Sequence, residues 1–224
     1  EKRVLRVTIT SKTVEQMKVE YSLNPAQISQ ITELSSEEYD SLWSGVIYGV
    51  QSNGGGEYII WRQYGASWSN IKIGNTDNTI SDIGCLVTSI AILIEKSGID
   101  NPINPFNPGT FVEALNRNNG FDSNGNLQYS TINKVVSGFK YKGQISLQNK
   151  TQEEKYSLIK QYFDMGYYLT VEVKGATPGN QHWVAVNSVE DNNVFMIDPG
   201  SNNTNMWFAY EVSKTSKFNF FKVI

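Results

Sequence analysis

In its 224 residues the chain carries one cysteine, Cys85, and one histidine, His182, and each falls where a nucleophile or its base could work. A cysteine attacks a carbonyl as the thiolate, and a helix N-terminus or a neighbouring imidazolium brings a thiol pKa from ~8.5 to roughly 3.5–7.5. Cys85 follows Asp82-Ile83-Gly84 at the predicted start of a buried helix. Gly84 leaves the approach to the sulfur free of side-chain bulk and is expected to border the substrate. The base must hydrogen-bond the thiol and be oriented by a third group. His182 opens a predicted strand after the loop at 175–180, and Asp198 ends the next strand, where Pro199-Gly200 breaks it. The two are 16 residues apart, the length of two short strands and a turn at 190–193, so an antiparallel hairpin brings them together. Singly, each residue has an ordinary structural use: free cysteines pack as small hydrophobes, and Asp-Pro-Gly makes turns. Jointly they point to acyl transfer through a thioester, with Cys85 as nucleophile, His182 as base and Asp198 as orienting acid. Hydrolysis of a peptide is the expected outcome, because water deacylates such an intermediate by default. A single cysteine allows neither an internal disulfide nor a cysteine-based metal cage, and the expected chemistry uses no metal and no cofactor.

The elements that must hold these residues are legible as an α+β order, helices first and an antiparallel sheet after them. From Cys85 to Ile94 the chain is almost continuously apolar and stops at Ser97-Gly98, which predicts a buried helix rather than a strand. Helices are also expected at 109–118 and 151–164. The short aromatic stretch 58–64 is strand-like, and period-two patterns predict strands at 168–173, 182–186 and 194–197, with 208–212 and 218–224 expected to complete the sheet. Residues 65–82, rich in Gly, Ser, Asn, Thr and Asp, read as loop. Ahead of this lies a separate region, 1–50, with a short strand at 3–9 and three helices. The second starts at Asn24-Pro25 and the third at the Ser35/Glu38 capping box. Residues 51–56, ending in three glycines, predict a flexible linker. The catalytic module is then 57–224.

Composition narrows the partners. Hydrophobic residues make up 39% and aromatics 12%, enough for a real core. A net charge of −3 without a Lys/Arg-rich run argues against nucleic acid. The longest apolar stretch, around Ile90 to Ile94, falls far short of the ~20 residues of a membrane-spanning helix, so no stable membrane insertion is expected. No signal-peptide pattern opens the chain, which starts at Glu1, and a mature or excised product is the expectation. Trp61, Trp68 and Trp183 could line a groove for a peptide or sugar. Asp82 is expected to hold a loop rather than to take part in catalysis.

Several strings together make the chain resemble the C39-like group of the papain superfamily. They are Trp61-Arg62-Gln63 through Trp68, Ile73-Gly74, Thr79 through Ser89 around Asp82-Ile83-Gly84-Cys85, Asn107-Pro108-Gly109 with the helix after it, Gln181-His182-Trp183, and Ile197-Asp198-Pro199-Gly200. The likeness spans roughly residues 57–200. It implies a papain-like fold, in which a helix carrying the cysteine packs on an antiparallel sheet carrying His and Asp. It also implies the triad Cys85, His182 and Asp198, and Gln63 as an oxyanion donor beside the Cys85 backbone N–H. The usual pattern places that glutamine a few residues before the cysteine; here it stands 22 residues before it. The N-terminal region followed by a Gly-rich linker resembles the segment ahead of catalytic modules in wall hydrolases of Gram-positive conjugative elements and phages. This favours a secreted or cell-wall-associated enzyme that cuts peptidoglycan peptides. Processing of a leader or neighbouring polypeptide is an alternative, as are a transglutaminase-like acyltransferase and an inactive binding module.

Overall fold

The computed structural model describes residues 57–174 and 181–224. The expected N-terminal region, the Gly-rich linker and the loop at 175–180 lie outside the described residues. The rest combines helices with one antiparallel sheet. In chain order the elements are a 3-10 turn at Glu57–Ile60, helices α1 (Ile80–Ile83), α2 (Cys85–Ser97), α3 (Pro108–Arg117) and α4 (Ile132–Val135), strand β1 (Phe139–Ser146), helix α5 (Gln152–Asp164), strands β2 (Tyr168–Lys174), β3 (His182–Glu190) and β4 (Asn193–Ile197), helix α6 (Met206–Ala209) and strand β5 (Lys217–Val223).

The sheet order is β1-β5-β2-β3-β4, with every neighbour antiparallel. Period two sorts its side chains between two packing layers. Ala185, Ile197, Phe139 and Phe221 join the core around α2 and α3. Val184, Val186, Leu169, Val171 and Phe218 join a second core with Ile159 of α5. Central strands buried on both faces explain the near-continuous apolar runs of β2 and β3.

Helix α2 is buried at nearly every position from Val87 to Ile94, so α2 has no solvent face. Each fully buried Ile or Leu is worth about 1.5–3 kcal/mol, so the core holds the helix bearing Cys85 far more firmly than any single polar contact could. Gly98, in the left-handed conformation at φ 64°, ends it. Polar contacts then set the position of α2 along β3: Ser89 Oγ donates to the Trp183 carbonyl at 3.1 Å. Farther along, Lys96 Nζ donates to the Asn187 carbonyl and, at 2.8 Å, to its side-chain oxygen. Four helical residues advance about 6 Å and two strand residues about 6.6 Å, so α2 and β3 stay in step from Cys85/Gln181 to Ser89/Trp183.

Local signals explain the helix starts. Asn107 accepts from the Thr110 N–H at 3.0 Å with Pro108 as the first helical residue, and Thr151 pairs reciprocally with Glu154. Between β3 and β4, Asp191 and Asn192 take φ of 49° and 60°, the two-residue turn that suits a tight hairpin.

The structure corrects four expectations. Residues 58–64 form no strand: the chain turns in a 3-10 helix, and the Arg62 guanidinium satisfies the Ile59 and Trp61 carbonyls at 3.0 Å. The stretch 65–82 is not wholly loop, because Thr79 and Asp82 start α1. Asp82 accepts from the Thr79 N–H at 2.8 Å and hydroxyl at 2.7 Å, which holds its carboxyl below the usual range. Residues 208–212 are not a strand either; Asn205 caps α6 instead, accepting from the Phe208 N–H at 3.3 Å. Finally, the sheet does not wait for all the helices, since α6 follows β4 and α5 follows β1. Its alternation of Phe139, Tyr141 and Ile145 with Lys140, Lys142 and Gln144 was the available signal, diluted by Gly143 and by an edge position with one wet face.

Gly84 also has a steric role in the fold. A Cβ there would stand 2.4 Å from the Ile80 carbonyl oxygen and 2.7 Å from its Cα, so the tight turn from α1 into α2 excludes any side chain. Gly84→Ala should destabilise the fold by about 1–3 kcal/mol, as overpacking does. Thermal melts of the variant check this, and an unchanged melting temperature would contradict the packing argument.

Candidate active site

The three residues singled out by chemistry converge at one end of the α2–β3 contact. Cys85 is the first residue of α2 and 7% exposed. Its Sγ lies 3.9 Å from the Gln181 carbonyl oxygen, and the thiol is close enough to the His182 ring to help raise its pKa. His182 opens β3, and its Nε2 lies 2.7 Å from Asp198 Oδ1 just past the end of β4. With Nε2 committed to Asp198, Nδ1 is the nitrogen left to face the thiol.

The hairpin register accounts for this meeting. Ala185 pairs with Ile197, and continuing that register sets His182 opposite Gly200, with Asp198 one diagonal step away. Gly200 is required there, since a Cβ would stand 2.8 Å from His182 Cε1. Glu172 of β2 is fully buried and accepts hydrogen bonds from Gln181 Nε2 and Ser216 Oγ, with Lys217 Nζ at 3.6 Å. It anchors the residue whose carbonyl meets the Cys85 thiol.

Asp198 is 1% exposed, and its carboxylate is fully engaged. Oδ1 also accepts from the Gly200 N–H at 2.7 Å; Oδ2 accepts from Ser201 Oγ at 2.7 Å and from the Tyr210 hydroxyl. Burial alone would raise its pKa, but hydrogen bonds and the His182 charge outweigh that and hold it below the usual carboxylate range. For His182, burial pulls the other way from its partners. The hydrogen bonds and charges of Asp198 and Cys85 overcome burial and push the imidazole up to about 9, so it is an imidazolium at neutral pH.

These shifts make stability depend on pH. The raised His182 contributes roughly 3 kcal/mol, fully present below its ordinary 6.5 and lost as pH rises through about 9. The lowered Asp198 contributes above its ordinary 3.8, and that contribution is lost as pH falls below it. Half-buried Lys96, brought down to about 8 by desolvation, has the opposite slope at alkaline pH, so the difference between the wild type and Asp198→Asn isolates the pair. Urea unfolding should show that gap narrowing from pH 6.5 to above 9; a gap that widens would refute the coupling.

Gln63, distant in sequence, is brought to the same place. Its backbone N–H donates to the Pro199 carbonyl at 2.9 Å, and its side-chain Nε2 donates to the Ser81 carbonyl at 3.0 Å, four residues before Cys85. The residue is 7% exposed, and Oε1 accepts from none of the described residues. Arg62 Nη2 adds a bond to Asn202 Oδ1 at 2.6 Å, so segment 61–63 is tied to the turn after Asp198. Trp68 is half-buried; its Nε1 donates to the Arg62 carbonyl at 2.8 Å, and its ring stands edge-on to Trp61, centroids 6.2 Å apart. Trp183 is 3% exposed, with Lys217 Nζ over its ring at 5.7 Å, so it offers almost no surface to a substrate. Its side chain follows the strand into the interior.

Tyr210, Ser201, Glu172 and the steric role of Gly200 escaped sequence reasoning. Gly200 had a signal as a strand breaker, but a tyrosine reaching back from beyond α6 had none. Among the described residues no cluster of His, Cys, Asp or Glu is placed to hold a metal ion, and no helix is long and apolar enough to cross a membrane.

No family model matches this chain, and no curated protein does. Among solved structures, a protein described as a C39-like peptidase from Bacillus anthracis is similar over 62% of this chain and 88% of its own. The identity is 15% and the TM-score 0.34.

Proposed function

We propose that this protein is a papain-like cysteine peptidase in which Cys85 is the nucleophile, His182 the general acid and base, and Asp198 the group that orients His182. The observation that carries the reading is the meeting of the lone cysteine, at the head of a buried helix, with the lone histidine held 2.7 Å from a buried aspartate. Cys85 Sγ attacks the scissile carbonyl with its proton held on His182 Nδ1, and the C–S bond forms as the carbonyl oxygen takes the charge. The imidazolium then gives its proton to the leaving amine as the C–N bond breaks, leaving a thioester. A water molecule deprotonated by His182 attacks that thioester, and Cys85 departs.

The developing oxyanion is served by the Cys85 N–H and the second hydrogen of Gln63 Nε2. The first hydrogen is fixed on Ser81, which aims the amide. Gln63→Ala should lower kcat about 10²-fold with KM little changed, the loss of one such donor. Steady-state kinetics check this, and a KM effect alone would assign Gln63 to binding instead.

The substrate we infer is a peptidoglycan stem peptide or cross-bridge, acted on outside the cell or at the wall. The support is the order of segments in the sequence, an N-terminal region and a Gly-rich linker ahead of the catalytic module, and an Asn/Ser/Lys-rich composition. Purified Gram-positive sacculi incubated with the protein should release fragments whose new termini, read by mass spectrometry, identify the cut bond. Release that persists in Cys85→Ala would refute the peptidase reading. No release, with Cys85 still rapidly alkylated by iodoacetamide, would refute the wall substrate and direct the search to polypeptides.

A further inference from the structure

Asp198 has two oxygens with different neighbours, and the difference has a consequence for His182. Oδ1 faces His182 and the Gly200 N–H; Oδ2 faces Ser201, three residues along the same turn, and Tyr210, which follows α6. The Ser201 contact is local and any such turn could make it. Tyr210 comes from a separate element, held in place by the Asn205 cap and by its own N–H donating to the Met206 carbonyl at 2.9 Å. Its ring is tilted against the His182 imidazole, centroids 5.6 Å apart, and Lys174 Nζ lies over the phenol, 5.9 Å from its centroid. One side chain therefore both grips the acid and flanks the base.

We propose that Tyr210 is a positioning residue of this site, acting on His182 through Asp198. This rests on the reading of Asp198 as the partner that orients His182. The hydroxyl stops rotation of the carboxylate about its Cβ–Cγ bond and draws negative charge toward Oδ2, away from the imidazole. Two effects follow: the ring is kept aimed at Cys85, and its hold on the proton is moderated. Without the hydroxyl, the Asp198 charge concentrates on Oδ1 and His182 becomes more basic. Burial and Asp198 together push the Tyr210 phenol well above its usual range, so it remains a donor throughout the working pH range. The charged or titratable groups facing this pair among the described residues are Cys85 from α2, Arg62 and Tyr64 from the segment before α1, and Lys174 from β2.

The test needs no substrate, because the protein has one histidine and thus one imidazole signal. Protein labelled at histidine is titrated by NMR as wild type, Tyr210→Phe, Asp198→Asn and the double variant. Phenylalanine keeps the ring, so the variant is expected to fold, and a thermal melt confirms it. Asp198→Asn should lower the midpoint, and Tyr210→Phe should raise it by about 0.5 unit or more, the effect of one donor lost from a buried carboxylate. In the Asp198→Asn background the same replacement should shift nothing. A Tyr210→Phe midpoint equal to wild type, with Asp198→Asn still lowering it, overturns the proposal and leaves the His182–Asp198 reading intact. An unmoved midpoint in Asp198→Asn overturns both. A Tyr210→Phe effect that persists in the double variant overturns the route through Asp198.

Discussion

Cys85→Ala should abolish turnover and leave the folded structure unchanged. The thiol is the only atom group removed, and the helix that carries it is held by the buried run from Val87 to Ile94, which the substitution does not touch. Cys85 is 7% exposed and at the first position of α2, where alanine is a good helix former and leaves a void no larger than one sulfur. No disulfide is lost, since the sequence has no second cysteine. The expected stability change is within about 1 kcal/mol, the range of mild substitutions. The chemistry has no substitute, because without the thiol the thioester cannot form. Fragment release measured beside a far-UV spectrum and a thermal melt distinguishes a dead site from an unfolded one. Turnover at the wild-type rate would remove Cys85 from the mechanism.

His182→Ala should lower the rate by roughly 10⁴-fold, the upper range for a lost acid and base, and should also slow alkylation of Cys85. The two readouts separate roles that turnover alone confounds. Slower alkylation reports loss of the charge partner that favours the thiolate; the additional loss in turnover reports the missing proton donor to the leaving amine. The fold should survive, because Asp198 keeps three donors, the Gly200 N–H, Ser201 and Tyr210. Removing the fourth costs about 1–3 kcal/mol, as a lost hydrogen bond to a buried charge does. If Cys85 alkylates as fast in the variant as in the wild type, the imidazole does not activate the sulfur, and the pairing proposed here is wrong. Unfolding on substitution would instead show that the His182–Asp198 pair holds the sheet end together.

Much of the architecture was legible because it depends on short-range pattern. Helix α2 announces itself by an unbroken apolar run and a terminal glycine, α3 and α5 by capping residues, and β2, β3 and β4 by alternation or apolar continuity. The tight Asp191-Asn192 turn made the approach of His182 to Asp198 a matter of counting residues. The failures share a cause. Residues 58–64 and 208–212 are aromatic-rich, as strands often are, but aromatic side chains fill a core equally well from turns. What keeps those segments out of the sheet is polar contact with distant residues. Arg62 reaches Asn202, and the Tyr210 hydroxyl donates to Asp198 Oδ2.

The candidate chemistry itself was written in the residue types: one thiol, one imidazole and an acid at hairpin distance. Local pattern also assigned these groups to a helix start, a strand start and a strand end. Which groups would surround them was decided by folding, since contacts between residues far apart in the chain depend on how the layers dock and leave no periodicity to read. Docking of α2 along β3 set the thiol against the Gln181 carbonyl, and the end of α6 delivered Tyr210 to Asp198. The hairpin gave Gly200 a steric role that no local preference specifies, because the atoms it makes room for belong to His182, whereas Gly84 makes room for Ile80 within the local turn from α1 into α2.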